Sequence, residues 1–371
     1  MRIVSPLLKT LVYPTLSSIG AFRRTSNTGL AIVTYHGIIP ADYKPVDAAF
    51  DGNLISAEML RRQIRLLKGE YKIVAPDDVL GFFRSGEELP SRSVLLTCDD
   101  GLLNCLTDML PVLREENVKC LFFVTGASAR ELRTMLWYEE LFLIFLRAPS
   151  GPIRAPSQKF LIADKLEGRK QRRAVWSDCV RRLSQLDFQS RDSVIRELRV
   201  QFGQSEKPVV DLENSVMCRR YGFMTRDELL ELQSAGMTIG AHTLSHPILS
   251  RQEPERAYEE ILQSRAVLES ALGTEVWAFA YPFGDPESIK PQISNFAEKA
   301  GYRTAFLNYG GGLGRKLPAY ALPRIHVTST MTLGEFEAHI CGFYAQLADF
   351  RSGSGIAEFL GGNGKTCKPN F

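Results

Sequence analysis

The chain has 371 residues, of which 44% are hydrophobic and 23% charged, and its formal net charge is +3 at pH 7. This length is enough for one large α/β domain, or for one domain with an insertion. The small net charge argues against a nucleic-acid-binding protein, because such proteins usually carry a concentrated basic face. The net charge does not exclude polar substrates that are uncharged or mildly anionic.

Residues 1–29 form an N-terminal segment in which Lys9 and two prolines interrupt the apolar stretch. The segment is too short and too broken for a spanning helix, and no small-residue cleavage site follows it. Two alternatives stay open: an amphipathic segment on a membrane surface, or a helix packed on the domain. The seven cysteines include no Cys-x-x-Cys pair, which favours a reducing compartment. We therefore expect a cytoplasmic protein, with peripheral contact at the inner membrane face as a further expectation.

Short apolar runs typical of strands recur along the chain. They cover residues 30–35, 93–98, 120–125, 237–241, 276–281 and 302–307. Amphipathic stretches lie between most of them. One follows a predicted N-cap at Ser56, and another begins with a capping box of Thr225 and Glu228 and is expected to stop at Gly236. This alternation predicts a mostly parallel sheet covered on both faces, or a barrel.

Two regions depart from the alternating pattern. Residues 126–222 contain no clear strand, begin with an apolar run and then become rich in arginine and lysine. We interpret them as a basic helical insertion, whose partner could be an anionic glycan, a membrane or another protein. Residues 351–371 are rich in Gly, Ser and Lys, and we expect a flexible tail there.

Three polar motifs each follow a predicted strand. They are Asp99-Asp100-Gly101, the stretch from His242 to Pro247, and the stretch from Tyr281 to Gly284. Because the carboxyl ends of parallel strands share one face, we expect these motifs to converge there. Each motif alone could be an ordinary turn. However, the chain has five histidines and two of them lie in these motifs, which favours a functional site.

The residue types indicate metal-assisted hydrolysis. His242 and His246 are four apart, so we expect them about one helical turn from each other and able to face one ion. One carboxylate of the Asp99–Asp100 pair completes a set of two histidines and one carboxylate with open positions. The other carboxylate can deprotonate a water whose pKa the metal lowers. The residues alone do not say which aspartate has which role.

The residues Thr97-Cys98-Asp99-Asp100-Gly101 resemble the Thr-Phe-Asp-Asp-Gly motif of the polysaccharide deacetylase family, with Cys98 in the aromatic position. The stretch from His242 to Pro247 is similar to that family's His-Ser/Thr-x-x-His-Pro motif. The resemblance covers residues 30–125 and 222–330. The family is built on the NodB homology domain and includes carbohydrate esterase family 4.

This resemblance implies a distorted (β/α) barrel of the NodB homology type over residues 30–350, with the helical insertion at 126–222. It also implies a metal-dependent hydrolase that removes acetyl groups from N-acetylated sugar units of a polysaccharide or its lipid-linked precursor. The implied cofactor is a divalent metal. Zinc is our first choice, because hydrolysis needs a Lewis acid without redox chemistry.

Carried over by motif, the resemblance makes Asp99 the general base and makes Asp100, His242 and His246 the metal ligands. In the third motif the backbone N–H of Phe283 would help to hold the oxyanion, and Tyr281 would lie beside the substrate.

This sequence departs from the family pattern at two places. Ala280 occupies the position where the third motif usually has an arginine that orients the base, and the spacing from Leu322 to His326 is one residue too long. We hypothesise that Arg324 replaces the missing arginine and that His326 protonates the leaving amine. Alternatively, both side chains line the barrel mouth without reacting, since residues two apart on a strand share a face.

The residue His36 ends the first predicted strand, in a Tyr-His pair that recurs in a subset of the family linked to exopolysaccharides. It could contact the substrate at the rim, or be a satisfied histidine at a strand end.

Three other functions are consistent with parts of this pattern. A non-haem iron oxygenase would use the same ligand set but normally has an all-β fold. A glycan-binding protein on the same barrel and an O-acetyl esterase stay as alternatives, and the sequence does not identify the polymer.

Overall fold

The computed structural model describes residues 8–22, 29–129, 133–155, 160–163, 166–201, 216–289, 293, 295–311 and 317–343. The expected tail at 351–371 lies outside these residues, as does part of the segment 1–29. In the described part of the chain the strands are β1 (Leu30–Tyr35), β2 (Lys72–Ile73), β3 (Ser93–Cys98), β4 (Leu121–Val124), β5 (Ile153–Ala155), β6 (Phe160–Ala163), β7 (Thr238–Ala241), β8 (Ala278–Ala280), β9 (Thr304–Gly310) and β10 (Leu322–His326).

The α-helices in the same described ranges are α1 (Tyr13–Ser18), α2 (Ala48–Asp51), α3 (Ala57–Glu70), α4 (Pro76–Ser85), α5 (Leu110–Glu115), α6 (Trp137–Arg147), α7 (Gly168–Leu183), α8 (Phe188–Gln201), α9 (Val216–Tyr221), α10 (Arg226–Ser234), α11 (Pro254–Leu272), α12 (Phe296–Lys299) and α13 (Leu333–Ile340). The expected helix starts are confirmed at two places. The Ser56 side chain accepts from the Met59 N–H at the start of α3, and the Glu228 carboxylate accepts from the Thr225 N–H at the start of α10.

The strands close into a parallel barrel. Following the hydrogen bonds, the order is β1, β10, β9, β8, β7, β4 and β3, and β3 pairs again with β1 over its whole length, from Leu30 opposite Ser93 to Tyr35 opposite Cys98. The short strand β2 pairs with the first residues of β3, outside the ring. The sequence pattern allowed either an open sheet or a barrel, and the structure confirms the distorted (β/α) barrel.

Alternate residues of each strand face opposite sides of the barrel wall. One buried cluster collects Leu30, Ile32, Leu95, Phe123, Ala280, Phe306 and Leu322, which share the inward-facing parity of their strands. The residues between them, such as Val33, Leu96 and Phe279, belong to a larger cluster with the surrounding helices. At the carboxyl ends of the strands, the residues with the same inward-facing alternation are Asp99, His242, Arg324 and His326. Their side chains therefore face the mouth of the barrel.

In its described residues, the region between β4 and β7 contains the α-helices α6 to α9 and also an antiparallel hairpin of β5 and β6. The expectation that residues 126–222 lack strands was therefore wrong. Strands of three and four residues are too short for their alternation to stand out from the sequence. Residues 202–215 of this region lie outside the described part.

The described N-terminal residues pack on the domain. Tyr13 and Phe22 are buried together with Ala338 and Cys341 near the C-terminal end of the described chain. Lys9 pairs with Glu335 at 3.2 Å. For residues 8–22 the geometry therefore favours the packed alternative.

Among the residues that the structure describes, no helix combines the length and the apolar character needed to cross a membrane.

Candidate active site

Asp99 and Asp100 lie at the carboxyl end of β3, where the chain turns sharply. The Asp99 N–H still donates to the Tyr35 carbonyl, as in a strand, but Asp100 and Gly101 have φ angles of 74° and 79°. A Cβ atom on Gly101 would lie 2.9 Å from the Val124 side chain, so glycine is required there on steric and conformational grounds. The turn leaves both carboxylates almost fully buried, with 1% and 6% exposure.

Asp100, His242 and His246 form a compact group that could hold a metal ion. Their ligand atoms all lie within 4.8 Å of one another and all three residues are buried. The Asp100 Oδ1 atom is 3.7 Å from His242 Nε2 and 3.3 Å from His246 Nε2. The His242 Nδ1 atom lies 2.7 Å from the Ala280 carbonyl, so Nδ1 carries the proton and Nε2 offers its lone pair. Two imidazoles and one carboxylate suit a divalent ion such as zinc, and the residues therefore fit such an ion.

The two histidines do not lie on a helix. Residues 242–248 form a loop in which Thr243 and His246 have φ angles of 62° and 55°. The Thr243 hydroxyl accepts from the His246 N–H at 3.0 Å. The expected helical turn was wrong, because a residue before proline, here His246 before Pro247, avoids the α conformation. The loop still brings the two rings within 4.9 Å.

Burial and charge favour the metal-binding protonation states of His242 and Asp100. Burial, with a smaller contribution from the nearby His246, lowers the pKa of His242 to about 4 against the opposing charges of Asp99 and Asp100. His242 is therefore neutral near pH 7. Burial alone would raise the pKa of Asp100, but the hydrogen bond from His246 and the neighbouring histidines hold it well below its ordinary value. Asp100 is therefore ionised.

Arg324 forms a two-pronged ion pair with Asp99 inside the barrel. Its Nη1 and Nη2 atoms donate to the two Asp99 carboxylate oxygens at 2.7 and 2.6 Å. Its Nε donates to the Leu307 carbonyl at 2.7 Å and its Nη1 also reaches the Thr97 hydroxyl at 3.1 Å. Burial alone would raise the pKa of Asp99, but Arg324 holds that pKa below its ordinary value. This geometry is that of an arginine that orients a carboxylate. Arg324 reaches Asp99 from β10, whereas Ala280, at the position of the family's arginine on β8, has no side chain that could do so.

His36 and His326 lie side by side at the mouth, with ring centroids 4.7 Å apart. His36 Nδ1 and His326 Nε2 are buried without a hydrogen-bond partner among the described residues, so His36 is not a fully satisfied histidine in this part of the chain. Burial, together with His36 and Arg324, lowers the pKa of His326 to about 3. His326 is therefore neutral near pH 7, and it must gain a proton before it can act as an acid.

The turn after His36 depends on Gly37. Gly37 has a φ of 114°, and a Cβ atom there would lie 2.1 Å from the Asn104 side-chain oxygen. That oxygen accepts from the Ile38 N–H at 2.9 Å, and the Asn104 amide donates to the Arg219 carbonyl. Asn104 thus fixes the backbone that carries His36.

Phe283 and Tyr281, both in the third motif, are placed differently. Phe283 has a φ of 63°, and its ring lies 5.1 Å from the His246 ring. Tyr281 has the outward parity of β8: its ring packs on Phe279 at 5.0 Å and its hydroxyl donates to the Tyr320 carbonyl. The expectation that Tyr281 lies beside the substrate was wrong, because strand alternation turns it away from the barrel interior.

The site also uses two aromatic residues of α6 that the sequence analysis did not identify. The Tyr138 ring lies 5.5 Å from the His246 ring and 5.8 Å from the Phe283 ring. The Trp137 indole N–H donates to the His246 carbonyl at 3.1 Å. Burial and the charge of Asp100 raise the pKa of Tyr138 well above its usual value. The Trp-Tyr pair at the start of an apolar run was the available signal, but the run had been assigned to an insertion outside the site.

A family model for polysaccharide deacetylases matches residues 86–141 and 211–305. These ranges contain Asp99, Asp100, His242 and His246, in the geometry described above, and they make up less than half of the chain. Over these ranges the chain is similar to the polysaccharide deacetylase family. The match extends to residue 141, so the similarity includes the start of α6, beyond the residues 30–125 and 222–330 that the sequence motifs indicated.

A relative and several solved structures are also similar to this chain. The Bacillus subtilis (strain 168) protein YxkH, which carries the name polysaccharide deacetylase, is 27% identical over 119 residues. That stretch is 32% of this chain and 41% of the relative, so the match spans less than half of the relative's length.

Among solved structures, the Streptococcus pyogenes deacetylase PplD in complex with acetate has a TM-score of 0.53 at 16% identity, covering 85% of this chain and 99% of that one. IcaB from Ammonifex degensii also has a TM-score of 0.53 at 16% identity, covering 85% and 98%. A de-N-acetylase from Aggregatibacter actinomycetemcomitans has a TM-score of 0.51 at 15% identity, covering 84% and 99%. At this identity they support the fold alone.

Proposed function

We propose that this protein is a metal-dependent hydrolase that removes acetyl groups from N-acetylated sugar units of a polysaccharide or its lipid-linked precursor. One observation carries the proposal. A carboxylate held by a buried arginine, Asp99 with Arg324, lies beside the three-residue ligand group at the mouth of the barrel. General base and ligand group are the two parts that hydrolysis of an amide needs in one place.

Asp100, His242 and His246 would hold the divalent ion, with zinc as the first candidate. When bound, such an ion supplies Lewis-acid stabilisation of negative charge and lowers the pKa of a water. His242 is prepared for this role because its Nδ1 proton is held by the Ala280 carbonyl. Such outer hydrogen bonds orient metal ligands and raise their basicity.

Asp99 would take the proton of the attacking water. Its lowered pKa keeps it ionised at neutral pH, and the two hydrogen bonds from Arg324 fix the plane of the carboxylate. Arg324 acts here through Asp99, as a positioning residue.

The Phe283 N–H is proposed to stabilise the oxyanion that forms on the acetyl carbonyl. A preorganised donor of this kind typically lowers the barrier by about 3 kcal/mol. The rings of Phe283 and Tyr138 contact each other and the His246 ring. They would exclude water from this side of the site, which strengthens electrostatic interactions there.

His326 is proposed to protonate the departing sugar amine. Since its pKa is about 3, it is neutral before the reaction begins. The proton that Asp99 takes from water is the available source, so it must pass to His326 or directly to the amine as the C–N bond breaks. His36, next to His326, is proposed to contact the sugar.

The choice of an amide over an ester substrate is part of the proposal. One neighbour with the same fold, from Aggregatibacter actinomycetemcomitans, is named a de-N-acetylase. Comparing acetate release from N-acetylglucosamine oligomers with release from O-acetylated xylan oligomers tests this choice. Faster release from the O-acetylated substrate would replace the N-deacetylase by an O-acetyl esterase using the same residues.

A cytoplasmic location, with peripheral contact at the inner membrane face through residues 1–29 or the basic insertion, is also proposed. The six cysteines in the described part of the chain are buried and form no disulfide there, which agrees with a reducing compartment. Co-sedimentation with vesicles containing anionic lipid, at low and high salt, tests the membrane contact. Absence of binding at low salt would contradict it.

The activity itself is tested by acetate release with and without a chelator. We expect release from N-acetylglucosamine oligomers that stops on chelation and returns when a divalent ion is added. Binding of these oligomers without any acetate release, despite bound metal, would indicate a glycan-binding protein instead.

A further inference from the structure

The loop that carries the two ligand histidines is strained. Thr243 and His246 have φ angles of 62° and 55°, in the left-handed region that residues with side chains rarely adopt. Such conformations persist only where the surrounding structure fixes them firmly. The contacts that fix this loop therefore matter for the positions of His242 and His246.

Ser245, which lies between the two histidines, is held from two sides. From the barrel side, the Glu260 carboxylate on α11 accepts from the Ser245 N–H at 2.8 Å and from its hydroxyl at 2.6 Å. From the insertion side, Arg191 Nη2 on α8 donates to the Ser245 carbonyl at 3.2 Å and to its hydroxyl oxygen at 2.9 Å. The serine hydroxyl thus links α11 of the barrel to α8 of the insertion.

The Arg191 side chain also supports the far end of the loop. Its guanidinium lies over the Trp137 ring, 4.8 Å from the ring centroid, and the Trp137 N–H donates to the His246 carbonyl at 3.1 Å. Arg191 is only 2% exposed. One buried arginine of the insertion therefore contacts the middle of the loop directly and its end through Trp137.

We propose that the insertion acts as a clamp on the metal-ligand loop, and that Arg191 is the positioning residue that sets metal affinity. This inference rests on the proposed function, in which Asp100, His242 and His246 bind a divalent ion. The planar, stacked guanidinium is suited to the task, because it can lie on an aromatic ring and donate to two oxygens at once. Changes to groups that orient metal ligands typically weaken metal binding 10- to 100-fold.

The test compares Arg191→Met with Arg196→Met in the full-length, metal-free protein. Arg196 lies on the same helix α8, has an exposed side chain (61%) and, in the part of the chain that the structure describes, forms an ion pair with the nearby Asp192, so it is a matched control. Zinc affinity is measured by competition with a chromogenic chelator, and the absorption spectrum of the cobalt(II)-loaded protein reports ligand geometry. We expect Arg191→Met to weaken zinc binding at least about tenfold and to change the cobalt spectrum, while Arg196→Met leaves both unchanged.

Two further variants keep the test decisive if Arg191→Met does not fold. Trp137→Phe keeps a ring but removes the donor to His246, and Ser245→Ala removes the hydroxyl shared by Arg191 and Glu260. Zinc affinity within twofold of wild type in a folded Arg191→Met protein, or in both further variants, would overturn the clamp. Equal weakening by Arg196→Met would also overturn it. A wild-type protein that binds no zinc or cobalt would instead refute the proposed metal site itself.

Discussion

Replacing Arg324 by Ala is expected to affect stability and catalysis through one buried carboxylate. The side chains of Arg324 and Asp99 are 0% and 1% exposed and join at 2.6 and 2.7 Å. Removing one partner of a buried ion pair typically costs about 3 to 5 kcal/mol, because an uncompensated charge stays behind. We expect a loss of this size in the free energy of unfolding, together with loss of turnover and an unchanged metal content.

The stability that Arg324→Ala loses relative to wild type is expected to depend on pH. In the wild type the folded-state pKa of Asp99 is below its ordinary value, so its stabilising contribution is present above about pH 4 and is lost as the pH falls through the folded pKa. In Arg324→Ala the lowering effects of His242 and His36 remain, but burial is the largest influence, and we expect it to raise the folded pKa of Asp99 above the unfolded value. Stability of the variant should then fall as pH rises from about 4, so its deficit against wild type grows between pH 5 and pH 7.5.

Urea unfolding of the metal-free proteins at pH 5 and pH 7.5 measures this deficit. The control is Arg133→Ala, which removes a partly exposed ion pair with Glu228. Loss of that ion pair should lower the free energy of unfolding by about 1 kcal/mol or less, and by nearly the same amount at both pH values. Adding Asp99→Asn to Arg324→Ala should recover part of the lost stability, because it removes the buried charge. A deficit below about 1 kcal/mol that is equal at both pH values would refute the assigned role of the pair.

Three other changes have definite expected outcomes. Asp100→Asn should lower bound zinc at least about tenfold, measured by chelator competition; unchanged affinity would remove Asp100 from the ligand set. His326 has a folded pKa of about 3 against about 6.5 unfolded, so it destabilises the folded state as pH falls below 6.5, by ~2 kcal/mol at pH 5. The free energy of unfolding of metal-free His326→Gln should therefore fall less between pH 7 and pH 5 than that of the wild type. An equal fall in the two proteins would contradict that burial effect. Gly37→Ala should destabilise by about 1 to 3 kcal/mol through its φ of 114° and the clash with Asn104; a neutral effect in thermal unfolding would contradict the assigned turn.

The alternation of strands and helices could be predicted from the sequence, because the strands are apolar and are separated by amphipathic helices. The same pattern placed Asp99, His242 and the third motif at strand ends, and the structure brings Asp100, His242 and His246 together. Closure of the ring through β1 and β3 could not be predicted from this alternation, because an open sheet produces the same one. The barrel was implied by the family resemblance.

The errors have local physical causes. The histidine spacing suggested a helical turn, but Pro247 and two left-handed residues make the segment a loop. Tyr281 was expected near the substrate because it belongs to the third motif, whereas strand parity directs it outward. Tyr138 was missed because its apolar run was assigned to the insertion. Arg191 could not be found from the sequence, since its contact with the site depends on how the insertion packs on the barrel.

The central claim is tested most directly by one assay on two proteins, wild type and Asp99→Asn, both loaded with the same divalent ion. The measured quantities are bound metal per chain and acetate released from N-acetylglucosamine oligomers. The account predicts equal metal content in both proteins and metal-dependent acetate release that the variant loses by at least about 100-fold. Equal acetate release by the two proteins, or no release by a fully metal-loaded wild type on any N-acetylated glycan, would contradict it.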